Sequence, residues 1–352
     1  MKPWNYLASF SIPVFAAIGL LWGGIWAWLT VVAVFVGVPA LDALVGCDKR
    51  AIGTTNSEQL RGASRFYSWI LYLHLPVQLG LILLCGWEWS RQSVPAWVLA
   101  GWVLSVALST GGIGITVAHE LVHRKTKTER WIGRLILMTV LYMHFAIEHV
   151  RGHHKNVGTR EDAATAARGT NVYAFILYTI PAQWLSAWRL ELQRLKKLGF
   201  PIWSWRNEML SFLVIQALWL AALGALFGWG FLGVYFVIAV LSFGLLEVVN
   251  YIEHYGLERH TLPSGRLETV QEHHSWNSDH RVSRMLLFEL SRHSDHHMAA
   301  DRQYQTLRSK EHSPQLPSGY PGMVLLALCP PVWFWLMNPR LVLATEDAAT
   351  PV

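Results

Sequence analysis

The sequence predicts an all-α, polytopic membrane protein with six transmembrane helices. Of its 352 residues, 53% are hydrophobic and only 15% are charged, whereas soluble domains carry about 25% charged residues. The nineteen tryptophans are a second indication, because indole rings favour the membrane–water interface. The third is the arrangement of the apolar residues in blocks that are long enough for helices of about 20 residues, the length that crosses a bilayer.

The apolar blocks divide into hairpins of spans, and we interpret residues 1–352 as a single membrane-embedded domain. The first block is too long for one span, and Gly23-Gly24 supplies a break within it, since glycine readily adopts turn conformations. Short connections at 86–93 and 228–230 separate the spans of two further hairpins. The predicted spans cover approximately residues 7–21, 24–40, 66–84, 96–118, 209–227 and 231–250.

The remaining segments are polar or only partly apolar. A polar connection is predicted at 41–65, and the shorter apolar stretches 132–145 and 172–188 indicate re-entrant or surface-lying helices. A last apolar patch, 323–337, is interrupted by Pro330-Pro331, and we expect it to lie at the membrane interface.

The distribution of basic residues predicts the orientation. The formal charge is +6, and the connections after spans one, three and five contain a single basic residue, Arg91. Cytoplasmic segments of membrane proteins carry the excess of lysine and arginine, so both termini are predicted to be cytoplasmic. Topology and contact with anionic membrane lipid explain the basic charge, and no nucleic-acid partner is expected. The three cysteines are far apart in sequence and predict neither a disulfide framework nor a Cys-x-x-Cys metal site.

Nine of the sixteen histidines lie in four groups at the ends of spans or between them. Three groups contain a pair at i, i+4, which places both side chains on one face of a helix. In the second group, helical spacing places His149 and His153 on one face and His154 about 100° away. The nine histidines are His119, His123, His149, His153, His154, His254, His293, His296 and His297.

The number of histidines predicts two metal ions. Imidazole is the commonest metal-binding side chain, and nine imidazoles are too many ligands for one metal ion. The segment His119-Glu120-Leu121-Val122-His123 by itself is also typical of zinc metalloproteases. That chemistry needs about three protein ligands, however, and would leave six histidines unexplained. A non-catalytic membrane metal carrier or sensor is a further alternative.

Four motifs resemble the signatures of the membrane alkane 1-monooxygenases, which belong to the fatty acid desaturase and hydroxylase superfamily. The motifs are His119-Glu-Leu-Val-His123, Glu148-His149-x-x-Gly-His153-His154, Asn250-Tyr-Ile-Glu-His254-Tyr-Gly and Arg292-His293-Ser-Asp-His296-His297. Two further stretches, His274-Ser-Trp-Asn-Ser278 and Leu316-Pro-Ser-Gly-Tyr320, are also similar to these enzymes. The likeness covers residues 40–339. One departure is Asp279, where the family usually has asparagine.

This resemblance implies a cytoplasmic helical region with a histidine-rich di-iron site, in a bacterial inner membrane. The implied reaction is hydroxylation of medium- to long-chain n-alkanes to 1-alkanols, using O₂ and electrons from a rubredoxin and its NADH-dependent reductase. No Cys-x-x-Cys pair is present, so we expect the rubredoxin to be a separate protein. Methyl-group hydroxylation of alkyl-aromatic compounds, as in xylene monooxygenase, is the nearest alternative.

The resemblance also implies roles for individual residues. The nine histidines are the expected ligands of two iron ions. Glu253, beside His254, is the expected carboxylate ligand, with Glu120 and Glu148 as alternatives. Metal-binding imidazoles need partners that orient them. The residues expected around the ligands are Asn250, Glu148, Asp162, Asp295 and His274. For the basic residues, a docking surface for an acidic electron carrier is the alternative to topology and lipid contact. The cluster to test for it is Arg189, Arg194, Lys196 and Lys197.

Overall fold

The computed structural model describes residues 1–49 and 65–349, and their regular structure is helical. The β-type pairings recorded among these residues are isolated bridges, so the predicted all-α class is confirmed. Most of the polar connection predicted at 41–65 lies outside the described residues. The principal helices are α1 (Pro3–Trp22), α2 (Gly24–Val45), α3 (Arg65–Arg91), α4 (Ala96–Val122), α5 (Lys127–Met138), α6 (145–156), α7 (Val172–Lys197), α8 (Glu208–Phe227), α9 (Trp229–His254), α10 (Arg281–Leu286), α11 (His293–Met298), α12 (Tyr320–Ala327) and α13 (Pro330–Ala349).

Six helices, α1 to α4, α8 and α9, are long and apolar enough to cross a membrane, which confirms the predicted number of spans. Helices α3 and α4 extend beyond the predicted spans, to Arg91 and Val122, because backbone hydrogen bonding continues after the apolar stretch ends. Helices α12 and α13 also pass this test as a pair, but they are bent by 118°. The bend precedes Pro330, and proline lacks the N–H that would continue a helix but is well suited to its first turn.

The turns predicted at glycines are present. Helix α1 ends at Gly23, which has a φ of 60°, and Gly228 between α8 and α9 has a φ of 83°. Side chains with a Cβ are disfavoured at positive φ. The two glycines therefore allow the chain to reverse after a single residue and form the predicted hairpins.

The described residues form two compact units. The first unit consists of residues 1–37, 65–148 and 184–246. The second unit consists of residues 38–49, 149–183 and 247–349. The interpretation of 1–352 as a single domain stays a prediction.

The first unit has an apolar core with polar links between spans. Trp102 of α4 is buried and donates its indole N–H to the carbonyl of Gly19 in α1 at 2.9 Å. One turn later, the hydroxyl of Ser105 donates to the carbonyl of Ala27 in α2 at 2.7 Å. Lipid provides no competing hydrogen-bond partners, so these contacts fix α4 against the first hairpin.

Helix α4 contains a π-helical segment, Leu108–Gly114, with three glycines. A Cβ added to Gly111 would lie 2.6 Å from the carbonyl oxygen of Ser242 in α9. The hydroxyls of Thr110 and Ser242 hydrogen-bond at 2.7 Å at the same crossing. Small residues let membrane helices approach closely, and here they bring α4 against α9 three turns before the C-terminal end of each helix.

In the second unit, a buried ionic network precedes α11. The guanidinium of Arg284 lies 2.7 Å from the carboxylate of Glu289, and that of Arg292 lies 3.3 Å from the carboxylate of Asp279. Arg292 also donates to the carbonyl of Leu307 at 2.7 Å. Buried charges are tolerated when they are paired and hydrogen-bonded. The network fixes the position of the first residue of α11, and it gives the unusual Asp279 a structural role.

Candidate metal centre

In the first unit, His119 and His123 lie at the C-terminal end of α4. Their ring centroids are 5.3 Å apart, and each offers a ligand atom within 4.8 Å of the other. His119 is only 6% exposed. The predicted i, i+4 pair is therefore a convergent pair of imidazoles at the end of a membrane span.

In the second unit, helix α6 changes its winding at the histidines. Residues His149–His153 form a π-helical turn between α-helical segments. A π turn pairs residues at i and i+5 instead of i and i+4. His154 therefore faces His149, with their Nε2 atoms 3.1 Å apart. The rings of His149 and His153 are neighbours, as expected, with their centroids 5.2 Å apart. The expectation that His154 points away from them is corrected by this turn.

Helix α11 has three histidines, and their imidazoles face two different sets of neighbouring histidines. The Nε2 of His296 lies 3.1 Å from that of His154. The Nε2 of His297 lies 2.9 Å from that of His293 and 3.3 Å from that of His153. One short helix thus contributes to two separate groups of histidines.

Two histidine groups result within the second unit. His149, His154 and His296, the three-histidine group, have ligand atoms within 4.8 Å of one another. The four-histidine group consists of His153, His254, His293 and His297, and its ligand atoms meet the same limit. All four of its members are buried.

The donor geometry of these groups fits metal ions. Two imidazole nitrogens that bind one ion at about 2.1 Å in tetrahedral directions lie about 3.4 Å apart. The Nε2 of His293 lies 3.0 Å from that of His254 and 2.9 Å from that of His297. Burial and the neighbouring imidazoles lower the pKa of His297 well below its usual range. The ring is therefore neutral at neutral pH, the form that binds metal.

The outer nitrogen of His153 contacts a carboxylate. Its Nδ1 lies 2.9 Å from Oδ2 of Asp162, which also accepts from the hydroxyl of Thr165 at 2.6 Å. Burial by itself raises the pKa of Asp162, but His153 and the hydrogen bonds hold it below its ordinary value. An ionised Asp162 keeps the proton of His153 on Nδ1. The Nε2 lone pair then faces the four-histidine group, as expected for a metal ligand.

Glu253 lies near the outer nitrogen of a second histidine. Its Oε1 lies 3.2 Å from Nδ1 of His293 and accepts the hydroxyl of Tyr320 at 2.7 Å. Glu253 is buried. These contacts favour a role in orienting His293, and Glu253 as an iron ligand stays a prediction. The hydrogen bond to Asp162 fixes the proton of His153 on its outer nitrogen, whereas Glu253 lies within ion-pair distance of the outer nitrogen of His293.

The other predicted neighbours of the ligands have different contacts. Asp295 pairs with Arg302 and with Lys310, 3.2 Å from its ammonium. His274 lies 3.0 Å from Glu268. Glu148 accepts the hydroxyl of Ser186 at 3.3 Å. In these contacts the three residues bind groups other than the nine histidines.

Asn250 contacts Glu247, a buried carboxylate that the sequence analysis missed. Its amide donates to Glu247 at 3.0 Å, and Gln183 of α7 donates to the same carboxylate oxygen at 2.7 Å. Glu247 is fully buried near the end of α9. A carboxylate inside an apolar span marks a functional or structural site, and that signal was available in the sequence.

Comparisons with known proteins agree with this geometry. The sequence model of the fatty acid desaturase family matches residues 92–327. Alkane 1-monooxygenase 2 of Pseudomonas aeruginosa is 42% identical over 349 residues, which cover 97% of this chain and 92% of the relative. Alkane 1-monooxygenase 2 of Alcanivorax borkumensis is 38% identical, covering 97% and 91% of the two chains. The xylene/toluene monooxygenase hydroxylase component of Pseudomonas putida is 31% identical, covering 98% and 91%.

Proposed function

The chain belongs to the alkane 1-monooxygenases within the fatty acid desaturase family, and on this premise we propose that it hydroxylates the terminal carbon of medium- to long-chain n-alkanes. One oxygen atom of O₂ enters the C–H bond of a methyl group and gives a 1-alkanol. The other oxygen atom leaves as water, after uptake of two electrons and two protons. The enzyme is a multi-pass membrane protein, which suits a substrate that partitions into lipid.

We propose that the nine histidines bind two iron ions. Imidazole is a suitable ligand for iron as well as for zinc and copper. The three-histidine and four-histidine groups supply seven ligands, and His119 and His123 supply the other two. Iron bound by these residues supplies the activation of O₂ and the oxidation of the C–H bond.

The residues around the histidines have positioning roles in this proposal. Asp162 holds His153, and Glu253 with Tyr320 holds His293, so that the Nε2 atoms stay directed inward when the ligands are assembled. The burial of His153, His254 and His293 excludes bulk water from the four-histidine group. A low-dielectric, preorganised set of donors stabilises charge more effectively than water does.

The observation that carries the proposal is the convergence of seven imidazoles in two groups, in a chain that is 42% identical to an alkane 1-monooxygenase. The decisive experiment is a reconstitution of the purified chain with rubredoxin, rubredoxin reductase and NADH. Alkanes of increasing length and xylene are supplied, and the products are identified by gas chromatography. Formation of 1-alkanols supports the proposal. Oxidation of NADH without any hydroxylated product would contradict it.

Methyl-group hydroxylation of alkyl-aromatic compounds is a second proposed activity, because the xylene/toluene hydroxylase component matches 98% of the chain. The same reconstitution distinguishes the two. A ratio of kcat/KM values that favours xylene over every alkane would make this the main reaction, since that ratio measures discrimination between substrates.

We propose that the electrons come from a separate rubredoxin, reduced by its NADH-dependent reductase, on the cytoplasmic face of the bacterial inner membrane. The basic cluster at the end of α7 is the proposed docking surface. Arg194 pairs with the buried Glu191 at 2.6 Å, while Arg189, Lys196 and Lys197 are exposed. The three exposed residues are therefore the ones that can steer an acidic partner.

A further inference from the structure

A third cluster of metal-binding side chains lies in the second unit, in the segment that follows α9. It consists of Glu268, His273 and His274, each of which offers a ligand atom within 4.8 Å of the others. The Nε2 of His274 lies 3.0 Å from Oε1 of Glu268, and the ring centroids of the two histidines are 4.1 Å apart. None of the three belongs to the two histidine groups of the proposed iron centre.

The backbone around the cluster is defined by hydrogen bonds. Leu262 donates to Arg266 at 2.8 Å and Glu268 donates to His260 at 3.0 Å, so residues 260–268 form a hairpin that brings Glu268 back. The cluster histidines follow in a short 3-10 turn, Glu272–His274.

His274 is a neutral imidazole and Glu268 is an ionised carboxylate, and the two share a hydrogen bond. The Nδ1 of His274 accepts the backbone N–H of Gln271 at 2.9 Å, so Nε2 carries the proton that faces Glu268. Burial, reinforced by His273, lowers the pKa of His274 to about 4. Burial raises the pKa of Glu268, but the N–H of His260 and the imidazole of His274 hold it below its usual value. At neutral pH the pair is a neutral imidazole beside a carboxylate.

A metal ion binds Nε2 of His274 in the other tautomer, so binding moves the ring proton from Nε2 to Nδ1, and the backbone N–H of Gln271 gives up its acceptor. Zinc binds nitrogen and oxygen at about 2.0–2.2 Å, so an ion held by both His274 and Glu268 separates them by little more than their present 3.0 Å. The guanidinium of Arg259 is an opposing charge. It is directed to the backbone carbonyls of Glu268 and Lys155.

We propose that Glu268, His273 and His274 form a separate site for one divalent first-row transition ion, with zinc as the occupant. Two imidazoles and one carboxylate are the protein ligands of known zinc sites that keep an open position for water. Because His273 and Glu268 are half-buried, the ion is accessible to solvent. The site is additional to the proposed iron centre and does not depend on it.

The position of the site gives it a bracing role. Two residues after His274, the backbone N–H of Trp276 donates to the backbone carbonyl of Glu253 at 2.9 Å, and its indole N–H donates to the carbonyl of Tyr255 at 2.9 Å. A bound ion therefore ties the hairpin to a segment that contacts the end of α9, where His254 lies. The bracing is measurable as protection of the hairpin.

The test uses the full-length, iron-loaded protein in detergent, equilibrated with buffered zinc and then analysed for both metals. We expect about one zinc per chain in the wild type and in the control His312→Ala, which removes an exposed imidazole outside the cluster. His273→Ala and Glu268→Gln should weaken zinc binding at least tenfold and leave iron content unchanged. Wild-type protein without stoichiometric zinc, or variants that retain it, would overturn the proposal.

Proteolysis gives an independent readout of the same site. Arg266 is exposed in the hairpin and is a target for trypsin. With free zinc at about ten times the dissociation constant, the fraction of molecules with a locally unfolded hairpin should fall about tenfold. The rate of cleavage at Arg266 should fall by the same factor. The His273→Ala variant should be cleaved at the same rate with and without zinc. Equal protection of wild type and variant by zinc would place the ion elsewhere.

Discussion

The imidazoles of His149 and His154 face each other with their Nε2 atoms 3.1 Å apart, although they are five positions apart in the sequence. The π-helical turn His149–His153 causes this pairing. His153 instead contacts Asp162 and belongs to the four-histidine group. One local change in winding thus divides three consecutive motif histidines between two groups.

Replacing His296 by alanine should abolish alkane hydroxylation. His296 is the residue of α11 that joins the three-histidine group, 3.1 Å from His154. Loss of a partner that merely orients a ligand costs about 10- to 100-fold in metal affinity or activity, so loss of a ligand should cost more than about 100-fold. Turnover and iron content are measured together, with His312→Ala as the control. Full activity of the His296→Ala protein would contradict the proposed centre.

Asp162→Asn should weaken iron binding without unfolding the protein. The amide keeps the shape of the carboxylate but loses the charge that fixes the proton of His153 on Nδ1. We expect a loss of about 10- to 100-fold in iron affinity, measured by competition with a chelator. Asp301→Asn changes an exposed carboxylate and serves as the control. If both variants hold iron equally well, Asp162 does not orient a ligand.

Glu253→Gln distinguishes an orienting residue from a ligand. If Glu253 orients His293, the variant should still bind about two irons per chain, with affinity lowered about tenfold. Tyr320→Phe, which removes the hydroxyl that holds Glu253, should act in the same direction. Mössbauer spectra of the two variants should then show the same altered iron. A fall to about one iron per chain in Glu253→Gln alone would identify Glu253 as a ligand.

Gly111→Ala should destabilise the protein, whereas Gly112→Ala should be tolerated. A Cβ at Gly111 would lie 2.6 Å from a backbone oxygen of Ser242, which cannot move aside, but a Cβ at Gly112 would meet only Leu245 at 3.7 Å. Overpacking of this kind costs about 1–3 kcal/mol. Thermal unfolding in detergent measures the difference. Equal melting temperatures of the two variants would show that α4 and α9 are not closely packed at this crossing.

Charge reversal of Lys196 and Lys197 should raise the KM for rubredoxin and weaken its dependence on salt. Both lysines are exposed, and surface charges of this kind chiefly change association rates. Reversal of the exposed Arg281 is the matched control. Product formation driven by an artificial electron donor should be unchanged in all variants. An unaltered KM and salt dependence for rubredoxin would exclude the basic cluster as the docking surface.

Much of the fold follows from sequence because its causes are local. Apolar length determines which segments can cross a membrane, and Gly23 and Gly228 determine where the chain reverses. The candidate metal-binding residues can also be recognised locally, since pairs of histidines at helical spacing are few. The ends of α3 and α4 were predicted too early because helical hydrogen bonding, unlike hydropathy, does not stop at the edge of the apolar stretch.

The sequence by itself determined the six spans, the nine histidines and the family to which they belong. Only the tertiary structure decided how the histidines of α6 and α11 divide into two groups, because the hydrogen-bond register of a π turn is not visible in residue spacing. It also decided the partners of the carboxylates. Glu253 adjoins His254 in sequence but contacts His293 and Tyr320, since neighbouring residues on a helix point about 100° apart and distant ones meet only on folding.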